Sequence, residues 1–388
     1  MLNIFFIGLI SFFTDISAEM VYPLIPLYLV SAFGATPVLV GIIEGIAESL
    51  ASLLKVFSGY LTDRFQKKKA LAFAGYSAGL IYKIALIIAG SWIGILGARI
   101  IDRFGKGIRT APRDVLVSES ADEKKMGKAF GLHKALDMSG AALGILITYF
   151  IIRDSNGFYD YKRLFALSMI PAILGLCAFI FVKQKKEIRK ASERIPFWKN
   201  LRKIDSQLKL YLLVVFIFTL GHSSNAFLIL RAKSLGFDDA SVILLFFLFN
   251  ITASVFSMPL GKLSDKIGRK NLLVPGYIAF SVCYIGFALV ESRLGIGIVF
   301  ALYGVYTAMI TGVERAFVAE IAPVELKGTM LGAHSTVAGI ALFPASAIAG
   351  LLWNIFGASA PFIFGACLSL ISAALLIIFM KDKREKFS

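Results

Sequence analysis

The stretch from Arg99 to Asp114, RIIDRFGKGIRTAPRD, places five basic and two acidic side chains directly after the apolar run WIGILGA. With about 100° between successive residues of a helix, Arg99, Asp102, Arg103, Lys106, Arg109, Arg113 and Asp114 fall within an arc of about 140°. Ile100, Ile101, Phe104, Ile108, Ala111 and Pro112 occupy the opposite arc. A loop has no reason to sort its charges this way. A membrane helix with one face on a wet path does, because intramembrane charge faces water or a partner rather than lipid. Such a face offers recognition of an anion, and arginine suits a carboxylate or phosphate because its planar fork binds bidentately. Arg103, Lys106 and Arg109, near mid-span, are the expected solute-binding cations, and Arg99 a gate or structural partner. Arg113 and Asp114 fit a cytoplasmic extension of the helix equally well. The segment FGKGIRT lacks the spacing and preceding strand of a phosphate-binding loop.

Acidic side chains recur at the same helical spacing. Asp15 and Glu19 stand at i, i+4 with Tyr22 about one turn further, Glu44 and Glu48 at i, i+4 with Lys55 on the same face, and His133 and Asp137 at i, i+4. Neighbouring carboxylates in a low-dielectric cavity cannot all stay ionised. Asp15, Glu19, Glu44, Glu48, Asp102 and Asp137 are therefore candidate carriers of coupling protons; the competing reading is that they only neutralise the cations of 99–114. The second half is poorer: His222, Asn225 and Arg231 in one apolar run, Asn250 in the next, and Tyr303, Tyr306, Thr307, Glu314 and Arg315 in a third. Tyr22, Asn225 and Tyr303 complete the expected solute-binding set.

These residues must be held by membrane helices. Apolar residues make up 57% of 388 positions, and the mean hydropathy is +0.77. Twelve apolar runs follow one another, at roughly 4–30, 38–60, 70–90, 93–117, 127–152, 163–183, 209–234, 240–260, 271–291, 295–318, 329–353 and 359–380. Each is near the ~20 residues that cross a hydrocarbon core of ~30 Å as a helix. They are continuous, unlike the alternating segments of about ten residues in a β-barrel. No small-residue cleavage site follows the first run, which reads as a retained span. The expected class is all-α, with twelve transmembrane helices.

The formal charge of +16 is distributed by topology. Lys and Arg collect in alternate loops, the signature that puts both termini on the cytoplasmic side of the cell's inner membrane. This placement argues against nucleic acid as a partner and for some attraction to anionic membrane lipid. Cys177, Cys283 and Cys367 sit singly within apolar runs, and His133, His222 and His334 are scattered, so neither a disulfide framework nor a metal site is expected. No cofactor motif occurs. Ser118 and Ser120 have no base at fixed spacing, and the chain is not expected to be an enzyme.

The polar segment 184–208 divides the runs six and six, giving an N-terminal bundle 1–183 and a C-terminal bundle 209–388 with a short basic tail. Self-comparison supports a duplication. GYLTDRFQKKK (59–69) returns as GKLSDKIGRKN (261–271), and Gly131-Leu132-His133 as Gly332-Ala333-His334, at offsets of 202 and 201 residues. Two such repeats with a substrate site between them form a transporter architecture.

GYLTDRFQKKK and GKLSDKIGRKN resemble the signature loop of the major facilitator superfamily, Gly-x-Leu-x-Asp-Arg/Lys-x-Gly-Arg-Lys; the first copy has Gln66 in place of glycine. Arg103-x-x-x-Gly107 resembles that family's fourth-helix arginine motif, and PLIP (23–26) resembles the first-helix prolines of its drug–proton antiporters. The fifth helix departs from that branch, having SGAALGIL (139–146) without proline. Its Gly140-x-x-x-Gly144 offers a small-residue packing face. The resemblance implies gate roles for Gly59, Asp63 and Arg64 and for Gly261, Asp265, Lys266 and Arg269. It implies alternating access by a monomer moving a small organic solute. Together with the charges above, the expectation is a proton-coupled exporter of an anionic or zwitterionic solute. A lipid or lysolipid flippase and a proton-independent facilitator of the same fold remain open.

Overall fold

In hydrocarbon every backbone N–H and C=O must be bonded within its own segment, and helices satisfy this condition. The computed structural model describes residues 2–65, 67–121, 126–155, 159–184, 206–322 and 327–380, and its regular elements there are helices. The first six spans are α1 (Leu2–Glu19) with α2 (Leu24–Phe33), α3 (Pro37–Phe65), α4 (Lys68–Ile88), α5 (Trp92–Ser120), α6 (Met126–Asp154) and α7 (Tyr161–Ala178). The second six are α8 (Ser206–Gly221) with α9 (Ala226–Ser234), α10 (Asp239–Ile267), α11 (Arg269–Leu289), α12 (Arg293–Ile310) with α13 (Val313–Ile321), α14 (Lys327–Phe356) and α15 (Ala360–Phe379). Eleven of these spans are long and apolar enough to cross a membrane among the described residues. The twelfth is α5, whose charges keep it below that level of apolarity. Most of segment 184–208 lies outside the described residues.

The sequence reads the first, seventh and tenth runs as continuous, and the structure breaks each of them. The first is interrupted at residues 20–23, where Pro23 brings no N–H and its ring crowds the carbonyl one turn back. The seventh opens at residues 222–225, where the Ser224 hydroxyl accepts from the Ala226 N–H at 3.3 Å. The tenth turns at Thr311 and Gly312, the latter at φ +88°, a conformation glycine adopts without strain. The breaks in the first and seventh spans occupy matching places in the two repeats.

The chain forms two compact units. One comprises residues 1–36, 46–192 and 236–247; the other comprises 37–45, 193–235 and 248–388. In the first, Ile4, Ile7 and Ile10 of α1 pack with Ala72 and Tyr76 of α4, Leu116 and Val117 of α5, Ala129 of α6 and Ala178 of α7. Helices α4 and α5 meet backbone to backbone: a Cβ on Gly105 would lie 2.5 Å from Ala78 Cβ and 2.7 Å from the Gly75 carbonyl. Gly140 and Gly144 of α6 press in the same way on the carbonyls of Phe12 and Ile16 of α1, so the small-residue stripe packs helices. The second unit is built on aromatic rings. Phe218 stacks on Tyr277 at 4.1 Å, and Phe280, Tyr284, Tyr303 and Tyr306 continue the cluster.

Ser91 and Ser292 cap α5 and α12, accepting from Gly94 N–H at 3.3 Å and Gly295 N–H at 3.2 Å. On α5 the apolar arc faces outward, with Phe104 50% and Ile100 37% exposed, while Arg99, Arg103 and Arg109 are buried. The helix sorts its charges as the sequence predicts.

Candidate transport site

In the first unit the polar residues converge beside the break that follows Glu19. Tyr22, in the break, offers its ring to both Arg99 and Arg103, whose guanidinium carbons lie 5.5 Å and 5.7 Å from its centroid. Both arginines also reach Asp102, Arg99 Nη1 and Arg103 Nε each lying 3.7 Å from Oδ2. Arg103 Nη2 meets Glu48 Oε1 at 2.7 Å. Arg99 is thus paired with Asp102 on its own helix. Arg103 is tied to two carboxylates and a ring. Glu44 is buried on α3.

A second focus lies further along α5. Asp15 on α1 and Asp137 on α6 lie near enough for each carboxyl group to act on the other. Lys134 Nζ donates to Asp137 Oδ2 at 2.7 Å. Lys106 is exposed, and its charge acts on Asp15 and Glu19. Arg109 is 8% exposed and lies 4.6 Å over the Tyr76 ring, with no ion pair to any described residue. Close by, the Ser11 hydroxyl bonds His133 Nε2 at 2.9 Å and Tyr76 Oη at 3.1 Å. Arg113 pairs with its neighbour Asp114 at 3.0 Å within the same helix.

The second unit holds its own polar centre at the matching break. Tyr303, 1% exposed, donates to Asn225 Oδ1 at 3.1 Å and bonds His222 Nε2 at 3.0 Å. Asn225 and Tyr303 are thus brought together, with His222 as a third member. Arg231 serves the backbone instead. Its Nε and Nη2 donate to the carbonyls of Phe287 and Ala288 at 2.7 Å and 3.1 Å, closing the end of α11. Tyr277 donates to Glu314 Oε1 at 3.0 Å, and His334 Nε2 lies 3.7 Å from Glu314 Oε2. Tyr277, His334 and Glu314 occupy the repeat positions of Tyr76, His133 and Arg113, so a cation in one half stands where a carboxylate stands in the other.

Of the gate residues, the side chains of Gly59, Asp63 and Arg64 lie outside the described residues. Gly261 is half-buried and Lys266 exposed, and Asp265 lies 3.5 Å from Arg269 Nη2. The shorter bond of Arg269 is to Glu320 at 2.7 Å. Glu320 and its counterpart Glu119, bonded to Lys68, carry no signal in one sequence beyond their place near a span end. Lys83 is also absent from the sequence expectations; it is 1% exposed on α4 within the run YKIALII.

Comparison with known proteins agrees with this architecture. The family model described as Major Facilitator Superfamily matches residues 7–230 and 210–387. An uncharacterised MFS-type transporter of Methanocaldococcus jannaschii is 35% identical over 381 residues, 97% of this chain and 94% of that protein. A protein named a multidrug resistance efflux pump, the PmrA homologue of Lactococcus lactis, is 25% identical over 339 residues, 83% of this chain and 81% of that one. Among solved structures, a mutant of the nucleoside transporter NupG superposes with a TM-score of 0.83 at 10% identity, covering 97% of this chain and 100% of the other. With the model matched in both repeats and a relative aligned almost end to end, the chain belongs to the Major Facilitator Superfamily, as a multi-pass membrane transporter rather than an enzyme.

Proposed function

We propose that this transporter exports a small anionic or zwitterionic organic solute in exchange for protons, by alternating access of its two six-helix halves. The observation that carries the reading is the Asp15–Asp137 carboxyl pair, two acids acting on one another beside the cations Arg109 and Lys106, where one shared proton would relieve their repulsion. A solute ammonium competes with that proton for the same oxygens, while its carboxylate is drawn to the cationic face of α5. Mutually exclusive occupancy of one site is what exchange requires. Glu48 and Asp102 hold arginines, so the coupling group lies among Asp15, Glu19, Glu44 and Asp137, of which Asp15 and Asp137 act on one another. Broken helices at matching places in the two halves are the usual position of a transporter's substrate site. Export is supported by relatives named multidrug efflux pumps, and cytoplasmic termini by the alternation of basic loops.

The test is transport in liposomes containing the purified protein, with a panel of labelled organic anions and zwitterions and an imposed pH gradient. The expected result is solute movement against its own gradient, driven by proton flow in the opposite direction. Asp15→Asn and Asp137→Asn should each abolish that accumulation while leaving downhill exchange. Wild-type flux indifferent to the pH gradient would make the protein a facilitator and overturn the coupling.

A further inference from the structure

Among the described residues of the first unit, Lys83 and Arg109 are the two buried cations that no carboxylate holds. Lys83, 1% exposed, forms no ion pair or hydrogen bond with any described residue; its Nζ lies 5.3 Å from the Tyr82 ring centroid. Arg109, 8% exposed, rests on the Tyr76 ring. The other cations nearby are provided for: Arg99 and Arg103 by Asp102 and Glu48, Arg113 by Asp114, Lys134 by Asp137. The carboxylates whose charge acts on Lys83 are Asp102 and Asp15; Asp102 is paired with the two arginines, and neither forms an ion pair with Lys83.

The two cations meet for a geometric reason. A helical side chain leans toward the N-terminus of its own helix. Helices α4 and α5 are joined by the turn 89–91 and run antiparallel, so Lys83 and Arg109 lean toward each other. They converge on Gly79, where a Cβ would lie 3.8 Å from Arg109 Nη1 and 4.0 Å from Lys83 Nζ and meet nothing else. Two like charges facing across a side-chain-free notch in a low-dielectric bundle repel. An anion turned into the notch converts that repulsion into two attractions and takes up donors of both groups.

We propose that Lys83 Nζ, the Arg109 guanidinium and the Gly79 notch form a buried subsite for one compact anionic group, a carboxylate or a phosphate, of the transported solute. The proposal rests on the reading above that the solute carries negative charge, and adds to it Lys83 and the notch. Arginine supplies a bidentate fork and lysine a point charge from the other side, a pairing that selects a terminal anionic group over a neutral one.

The experiment measures binding of acetate, benzoate and inorganic phosphate, with glycerol as neutral control, to the purified full-length protein by isothermal titration at low chloride. The carboxylates and phosphate are separate arms, and a preference names the group. Lys83→Met and Gly79→Leu, the second keeping both charges and filling the notch, should each weaken the bound anion by about ten-fold or more. In the absence of anion, Lys83→Met should melt at or above wild type, because removing a buried unpaired charge relieves a cost. Unchanged affinity in both Lys83→Met and Gly79→Leu, with Arg109→Gln still weakened, would discard the subsite and leave the anionic reading standing. A lower melting temperature in Lys83→Met with affinity retained would mark Lys83 as a neutralising charge and also discard it. Failure of every anion to bind wild type would overturn both.

Discussion

Arg269 bonds Glu320 at 2.7 Å, and 201 residues earlier Lys68 bonds Glu119 in the same relation. Each cation opens a helix just after a signature loop, and each carboxylate lies at the far end of the following span. The pair has survived the duplication although arginine has replaced lysine. Its setting has not stayed the same. The Lys68 and Glu119 side chains are 11% and 8% exposed, against 29% and 32% for Arg269 and Glu320.

That difference in burial sets the first prediction. Removing one partner of a buried pair strands the other, at a cost of about 3–5 kcal/mol. Half-exposed pairs contribute about 0–1 kcal/mol. Glu119→Gln should therefore destabilise the protein several times more than Glu320→Gln in equilibrium unfolding in mixed micelles. Equal losses would show that burial does not grade these two bonds.

The repeat explains how much was legible from sequence. Twelve runs and two signature loops gave the helices because membrane length and loop chemistry are local properties. The charged face of α5 was legible because Arg99 to Asp114 carries its own helical period. Lys83 was not: it is the lone charge in its run, and its significance comes from Arg109, on another helix. The approach of Asp15 on α1 to Asp137 on α6 has no trace at i, i+4 spacing within either helix. Arg231 carried a misleading signal, since a cation in a membrane span reads as machinery until the carbonyls of Phe287 and Ala288 are seen to hold it. The helix breaks at 20–23 and 311–312 had visible markers in Pro23 and Gly312, whereas the one at 222–225 rests on serine side chains that also suit an unbroken helix.

Glycines within α5 should separate sharply. A methyl group on Gly105 would meet Ala78 Cβ at 2.5 Å and the Gly75 carbonyl at 2.7 Å, both fixed by helix packing, whereas one on Gly97 meets nothing within 4 Å. Overpacking of this kind costs about 1–3 kcal/mol. Gly105→Ala is expected to lower the melting temperature and Gly97→Ala to leave it unchanged or raise it, measured on the purified protein. A tolerant Gly105 would mean that α4 and α5 can part without loss.

The phenol of Tyr159, in the connection between α6 and α7, donates to the Asp239 carboxylate. Burial, then the bond to Asp239, pushes Tyr159 well above the ordinary phenol value. A group raised in the folded state contributes stability below its unfolded pKa, about 10 for tyrosine, and loses it only as pH rises through the higher folded value. The stability difference between wild type and Tyr159→Phe should thus be about 1.5–3 kcal/mol, as for a hydrogen bond to a charged group, and flat from about pH 7 to 10. A difference that shrinks between about pH 8 and 9 would place the phenol's ionisation within the working range and contradict this account.

Arg103 tests whether the fourth-helix arginine serves the solute or the bundle. Its Nη2 meets Glu48 at 2.7 Å, its Nε lies 3.7 Å from Asp102, and its plane lies over Tyr22, with the side chain 5% exposed. The sequence alone placed Arg103 beside Arg109 as a solute-binding cation, but the donors of Arg103 already face carboxylates on α3 and α5 while those of Arg109 do not. Bound this way, Arg103 is expected to act as a strut between spans. Glu48→Gln and Arg103→Gln should each destabilise the protein, and the double variant should cost less than their sum, with an interaction energy of about 0.5–3 kcal/mol in a double-mutant cycle. Arg103→Lys keeps the charge but loses the fork, so it should lower stability while weakening anionic and neutral solutes alike. Arg109→Lys should weaken the anionic solute selectively. Additive effects of the Arg103 and Glu48 variants, together with a selective loss of anion binding in Arg103→Lys, would return Arg103 to the solute and leave Glu48 as a bystander.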